Sequence, residues 1–390
     1  MEASIEYFQP VPLLLIILSC VVIWRSSHGF EVASDYLGRK LPPGIKGATL
    51  NAIASSMPEF LTTVFFLFYL KEEEGFSGGL GVTSGSALFN LLIIPSLAVI
   101  MLYAMGRGRK VVLKKQVLFR EGIVLLLSQL LFLVFLFRGE LLARHGLILV
   151  LIYIAYMVLL FSITRRKGIA DPGFNTPEDK KKHPMLVRIL SLDVTHAILN
   201  GREINHRTAW LLLLASTTVM TFGTWLLVYA TDSYGKEAHI PLIFVAVVLS
   251  AAATSVPDTI ISIRDARKGN YDDAVSNALG SNIFDIAFAL GLPVFLYNVV
   301  YGNPILIADE ELAFAKEVWV FLVLATILAM LIMLIGKHFT RMKAGLLLVL
   351  YLMFLLFVET QIESGLREGI GQDIANFLTD AANLIGRIFH

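Results

Sequence analysis

Ten stretches of this 390-residue chain stay apolar for long enough to cross a lipid bilayer, and nothing constrains its fold more. They fall at roughly 10–34, 44–70, 78–104, 119–137, 145–164, 208–230, 239–263, 272–298, 315–336 and 344–360. A bilayer core needs about 20 apolar residues per helix, and within it only self-satisfied backbone is tolerated. The expected fold is an all-α polytopic membrane protein with ten transmembrane helices. With 56% hydrophobic and 16% charged residues and a mean hydropathy of +0.72, the chain falls outside the soluble classes.

Charge placement predicts orientation. Cytoplasmic loops collect Lys and Arg, and the alternate loops 25–46, 105–120, 165–207, 264–273 and 337–343 hold 25 of the 32 Lys and Arg. Ten spans with that bias put both termini outside the cytoplasm, and the plasma (inner) membrane is the expected location. Glu2 and Glu6 stand where a signal peptide would be basic, so a cleaved leader is not expected. The lone Cys20 excludes an internal disulfide and reads as a packed thiol. None of the eight histidines falls near the polar motifs described next, which argues against a histidine metal site.

Two segments break the apolar pattern in the same way. Ala54-Ser55-Ser56-Met57-Pro58-Glu59 and Ala253-Thr254-Ser255-Val256-Pro257-Asp258 each place hydroxyls, a proline and a carboxylate inside a span. About thirty residues beyond each comes a second related motif, Gly85-Ser86-Ala87-Leu88-Phe89-Asn90 and Gly280-Ser281-Asn282-Ile283-Phe284-Asp285. An offset of 199 aligns the first pair and 195 the second, the difference lying in the acidic insertion Lys71-Glu72-Glu73-Glu74. Five spans per half is an odd number, so the two repeats are expected to cross the membrane in opposite directions. The expected organisation is a first half at 1–164, a cytoplasmic linker at 165–207, a second half at 208–360 and an amphipathic tail at 361–390. Within the halves the repeats occupy about 44–104 and 239–298. Residues 186–200 of the linker could form a short surface helix. The tail's apolar residues, Ile362, Leu366, Ile370, Ile374, Phe377, Ala381, Leu384 and Ile388, are spaced for one face of a helix on the membrane or the bundle.

Matched, proline-broken polar segments in corresponding halves mark a transporter's substrate site. Proline removes an N–H and clashes with the carbonyl four residues back, here of Ala54 and Ala253. Such backbone is tolerated at membrane depth where it lines a cavity, and the C-terminal end of the preceding half-helix favours a cation. With the hydroxyls of Ser55, Ser56, Thr254 and Ser255 and the carboxylates of Glu59, Asp258 and Asp285, the donors are all oxygen. Hard cations want such a set, and soft metals find no thiolate or imidazole. Three carboxylates balance one divalent plus one monovalent cation, three monovalent cations, or fewer ions and a proton. Gly85 and Gly280 read as close-packing positions. Asn51 reads as a helix–helix bond, and Asp265, Asp272 and Asp273 as loop residues solvated with Arg264, Arg267 and Lys268. An intramembrane aspartyl protease would carry Gly-x-Gly-Asp, which the chain lacks; a passive channel would show flux without countertransport.

These motifs, with Gly47-Ala48-Thr49, resemble the two alpha repeats of the calcium/cation antiporter superfamily. The resemblance covers about 44–96 and 245–293 and is closest to the potassium-dependent sodium/calcium exchangers. Gly-Ser-Ala-x-Phe-Asn at 85–90, Pro-Asp at 257–258, Ala-Arg-Lys-Gly at 266–269 and Ser-Asn-Ile-Phe-Asp at 281–285 carry it. It implies a secondary antiporter, not an enzyme, that exchanges sodium for calcium by alternating access with potassium accompanying calcium. A calcium/proton or potassium-independent exchanger is the alternative. Glu59 and Asp258 would be the shared calcium and sodium ligands, with the carbonyls of Ala52 and Ala251 and the hydroxyls of Ser55, Ser56, Thr254 and Ser255. Asp285 would carry potassium coupling, while Ser86, Asn90 and Ser281 complete the shell. Ala54-Ser55 stands where the family commonly has Gly-Gly or Gly-Thr. The implied partners are inorganic cations and the lipid bilayer. No cofactor or nucleic acid is implied, and a single copy is expected to suffice for transport.

Overall fold

The computed structural model describes residues 10–39, 49–50, 52–70, 73–106, 111–165, 193–269, 271–362 and 370–389. The first half runs through α1 (Pro10–Leu37), α2 (Ala52–Ser55), α3 (Met57–Phe65), α4 (Glu73–Leu88), α5 (Ile94–Ala104), α6 (Lys115–Phe137) and α7 (Ala143–Arg165). A short α8 (Val194–Leu199) precedes the second half, capped by the Asp193 side chain on the His196 amide. There follow α9 (His206–Ala238), α10 (Leu242–Val245), α11 (Ala251–Thr254), α12 (Val256–Lys268), α13 (Tyr271–Phe284), α14 (Gly291–Tyr301), α15 (Asp309–Leu334) and α16 (Arg341–Ile362). The chain ends in α17 (Ile370–Phe389).

Among the described residues, eight helical segments are long and apolar enough to cross a bilayer, and a ninth crossing is the pair Leu242–Thr254 and Val256–Lys268, bent by 41°. They coincide with nine of the ten expected stretches. The tenth, 44–70, is described only from Thr49 onward and includes the apolar helix Met57–Leu70. Asn51 and most of the linker lie outside the described residues. The helices are apolar on both faces, as lipid requires: α6 buries Leu125 and Phe132 while Phe119 and Leu127 are exposed.

A single large core, with Phe132, Phe284, Trp319, Phe354 and Phe357 fully buried, joins α4, α6, α7 and α13 to α16. Two residues of the loop after α6, β1 (Glu140–Leu141), pair antiparallel with β2 (Ile305–Leu306) before α15, a tie that periodicity does not announce. Beside this core, α1 and α9 pack along each other through separate small clusters. Gly29 permits that approach, because a β-carbon there would lie 2.3 Å from Ser216 Oγ. The tail helix α17 docks on the bundle through Ala375, Leu378 and Ala382, and Thr379 donates to Glu317 of α15 at 2.7 Å. Phe377 and Leu384 of the same helix are exposed.

Candidate functional site

Both polar segments interrupt their helices at the same place. Ser56 (φ −92°, ψ 5°) and Ser255 (φ −79°, ψ 0°) separate α2 from α3 and α11 from α12. Pro58 and Pro257 then sit in the first turn of the following helix, where a missing N–H costs nothing. Glu59 and Asp258 occupy those same first turns, at the helix end that favours negative charge. The carbonyls of Ala52 and Ala251 are not free. Each accepts the serine amide at the break, at 3.0 and 3.1 Å, and a hydroxyl, from Ser55 and Thr254 respectively, at 3.2 Å. An ion would have to compete with those donors.

The second motifs cross over to the opposite repeat. A β-carbon on Gly85 would fall 2.0 Å from the Val247 carbonyl oxygen, so only glycine lets α4 lie this close to the π-helical turn Ala246–Ser250. That approach carries Ser86 and Asn90 onto the other repeat. Ser86 Oγ donates to Glu59 Oε1 at 3.2 Å and lies 3.0 Å from Ser255 Oγ. Asn90 Nδ2 donates to Asp258 Oδ2 at 3.0 Å. From the second repeat, Ser281 Oγ donates to Asp258 Oδ1 at 2.8 Å and lies 3.3 Å from Ser55 Oγ. Asn90 and Asp285, matched by the offset of 195, both lie in π-helical turns, Phe89–Ile93 and Asp285–Leu290, features common at functional sites.

Ser55, Ser56, Glu59, Ser86, Asn90, Thr254, Ser255, Asp258, Ser281 and Asp285 are all fully buried. Glu59 and Asp258 lie within electrostatic reach of one another, and Asp285 within reach of both. No three His, Cys, Asp or Glu side chains among the described residues form a compact metal cluster. Hydroxyls and amides space the carboxylates instead. Among the described residues, Glu59 Oε2 and both Asp285 oxygens have no donor in hydrogen-bond geometry, although the Thr254 hydroxyl stands beside Glu59 and those of Ser56 and Ser86 beside Asp285. Buried carboxylate oxygens without donors are costly, and a cation offsets that cost. The oxygen-rich donor set fits a hard cation.

Sequence reading missed Asn277, one helical turn before Ser281 on the same face of α13. Its Nδ2 lies 3.4 Å from both Asp258 Oδ1 and Ser262 Oγ; the i, i+4 spacing to Ser281 was the available signal. It also missed a cavity of about 240 Å³ behind Pro257, lined by His28, Glu31, Asp193, Ile261 and Arg264. Arg264, expected to be solvated with the loop acids, is partly exposed and also donates to Glu31 of α1 at 2.6 Å. His28 therefore lies closer to the repeat than its sequence position suggests, with Nδ1 3.5 Å from Glu31. The side chains of Asp272 and Asp273 lie outside the described residues.

This helical bundle, with broken helices meeting at buried carboxylates, has the fold of solved cation exchangers. The H+/Ca2+ exchanger CAX superposes with a TM-score of 0.67 at 15% identity, over 99% of this chain and 89% of that one. The sodium-calcium exchanger NCX_Mj gives 0.54 at 19%, over 89% and 98%. At those identities the likeness is one of fold. In sequence, the description "Sodium/calcium exchanger protein" matches residues 11–162 and again 208–359, and the chain belongs to that family. Curated relatives include the sodium/potassium/calcium exchanger Nckx30C of Drosophila melanogaster, 34% identical over 139 residues, and human sodium/potassium/calcium exchanger 4, 34% over 151 residues. The matched stretches are 36% and 37% of this chain but only 15% and 23% of those relatives.

Proposed function

We propose that this protein is a secondary antiporter that moves calcium against sodium by alternating access, with potassium travelling alongside calcium. The observation that carries the proposal is the meeting of Glu59, Asp258 and Asp285 from two broken repeats, with three carboxylate oxygens still lacking donors. In this reading Glu59 and Asp258 are ligands that calcium and sodium use in turn. The hydroxyls of Ser55, Ser56, Thr254, Ser255, Ser86 and Ser281 and the Asn90 amide oxygen line the same space. The carbonyls of Ala52 and Ala251 join once an ion displaces a hydroxyl donor. Asp285 holds the monovalent partner. Because the two cations compete for the same oxygens, an empty site leaves buried negative charge uncompensated, and conversion without cargo is unfavourable.

The proposed architecture is ten spans in two inverted halves of five, with both termini outside the cytoplasm in the plasma membrane. The family match recurring on each half supports the repeat, and the Lys and Arg bias supports the orientation. The α1–α9 pair, with its own small clusters beside the continuous core, suits the role of the group that rocks. Potassium cotransport rests on the motif resemblance and on the aspartate at 285.

The test is calcium uptake into sodium-loaded vesicles bearing the full chain, in choline or potassium medium. Uptake should require the outward sodium gradient and rise with external potassium. Uptake that ignores sodium and follows a pH gradient would replace this reading with calcium/proton exchange.

A further inference from the structure

Two tyrosines project from neighbouring turns of α7, and only one of them is engaged. Tyr156 donates its hydroxyl to Glu121, a fully buried carboxylate that also takes Arg120 and, at 3.3 Å, Ser276 Oγ. Tyr153, also buried, has a hydroxyl with no hydrogen-bond partner among the described residues. It lies within electrostatic reach of Asp285, whose two oxygens are equally without donors. A buried phenol and a buried carboxylate within electrostatic reach of each other, each lacking a partner in hydrogen-bond geometry, make an arrangement that an ion or its hydration water would complete.

The rings around Tyr153 fix its direction. It meets Phe284 edge-on at 5.4 Å and Phe288 at 5.5 Å, the aromatic residues that bracket Asp285. Phe288 in turn packs against Phe60, next to Glu59, at 5.9 Å. Among these four rings the Tyr153 hydroxyl is the one polar atom.

The second half repeats the framework without the acid. Tyr351, 198 residues later, meets Phe89 edge-on at 5.9 Å, and Phe89 precedes Asn90 as Phe284 precedes Asp285. Tyr351 packs on Phe354 at 5.9 Å much as Tyr153 packs on Tyr156 at 6.3 Å. Each tyrosine thus packs at the π-helical turn of the opposite repeat, but of the two only Tyr153 lies within electrostatic reach of a carboxylate.

We propose that the Tyr153 hydroxyl completes the oxygen shell of the monovalent cation held at Asp285, directly or through one water, and so helps set the preference among monovalent cations. A neutral phenol adds an oxygen without adding charge, which suits a singly charged ion next to a single carboxylate. The inference rests on the reading of Asp285 as the monovalent position, and it leaves the calcium ligands around Asp258 untouched.

The experiment is thermal melting of the purified full chain, titrated with sodium, potassium or calcium chloride against choline chloride. Tyr153→Phe should raise the midpoint of potassium stabilisation about ten-fold, the loss of one contact of hydrogen-bond strength, and move the sodium midpoint less. Its calcium midpoint should move less than about two-fold, and Tyr351→Phe should move none of these. Melting of each variant in choline alone reports whether it folds. The inference is overturned if Tyr153→Phe binds monovalent cations like the wild type, or if it weakens calcium equally. It is also overturned if Tyr351→Phe has the same effect, or if the wild type gains no stability from sodium or potassium. Monovalent stabilisation that depends on Tyr153, in a protein that fails to exchange calcium in vesicles, would sink the proposed transport and leave this inference standing.

Discussion

Asp258 and Asp285 lie in the same buried site, yet the fold treats them in opposite ways. Asp258 receives Ser281 at 2.8 Å, Asn90 at 3.0 Å and Asn277 at 3.4 Å, donors drawn from both repeats. Among the described residues Asp285 receives none in hydrogen-bond geometry, with only the hydroxyls of Ser56 and Ser86 standing beside it. A carboxylate held by several neutral donors has its orientation fixed before any ion arrives, whereas one without donors depends on a cation for its partners. On the proposed reading, Asp258 would be the pre-built position that both cargo ions use, and Asp285 a weaker position whose occupant can vary.

Substitutions at the two aspartates should break that contrast most sharply. Asp258→Asn removes a charge shared by both ions, and calcium uptake by sodium-loaded vesicles should fall by about 100-fold or more. Uptake near the wild-type rate would show that the pre-built position is not used. Asp285→Asn should abolish potassium stimulation while sodium-driven calcium uptake continues, read as the ratio of rates in potassium and choline. An unchanged ratio would move the monovalent position elsewhere.

Gly85→Ala acts on both aspartates together by forcing α4 away from Val247. Overpacking of this kind costs about 1–3 kcal/mol, so a lower melting temperature should accompany weaker calcium stabilisation. A normal melting temperature would mean that the close approach is not needed. The smallest effect is expected from Asn277→Ala, which removes only the longest of the three donors to Asp258. Its calcium midpoint should rise about two- to three-fold, within the lower range for one neutral hydrogen bond. A loss as large as that of Asp258→Asn would make Asn277 a principal support.

Local chemistry made the broken segments legible. Proline beside a carboxylate inside an apolar run has few physical outcomes, and the structure breaks both helices at the serine two positions before proline. The spans were legible for the same reason, since twenty apolar residues in lipid have little alternative to helix. What depends on distant partners was not. The Arg264–Glu31 pair depends on helix packing that spacing does not encode. The π-helical turns at Asn90 and Asp285 carry no composition signal, because one extra residue in a turn leaves hydropathy unchanged. In α17 the contact with the bundle is made by Ala375, Leu378 and Ala382, which the spacing of the larger apolar residues did not single out.

The central claim is that oxygens from both repeats form one site that calcium and sodium share. Equilibrium binding of radioactive calcium to the purified protein, in sodium or choline, tests it most directly for the wild type, Glu59→Gln and Asp258→Asn. The account predicts saturable calcium binding in choline, displacement by sodium, and loss of binding in each single variant. Calcium binding that survives either substitution, or that sodium does not displace, would contradict it.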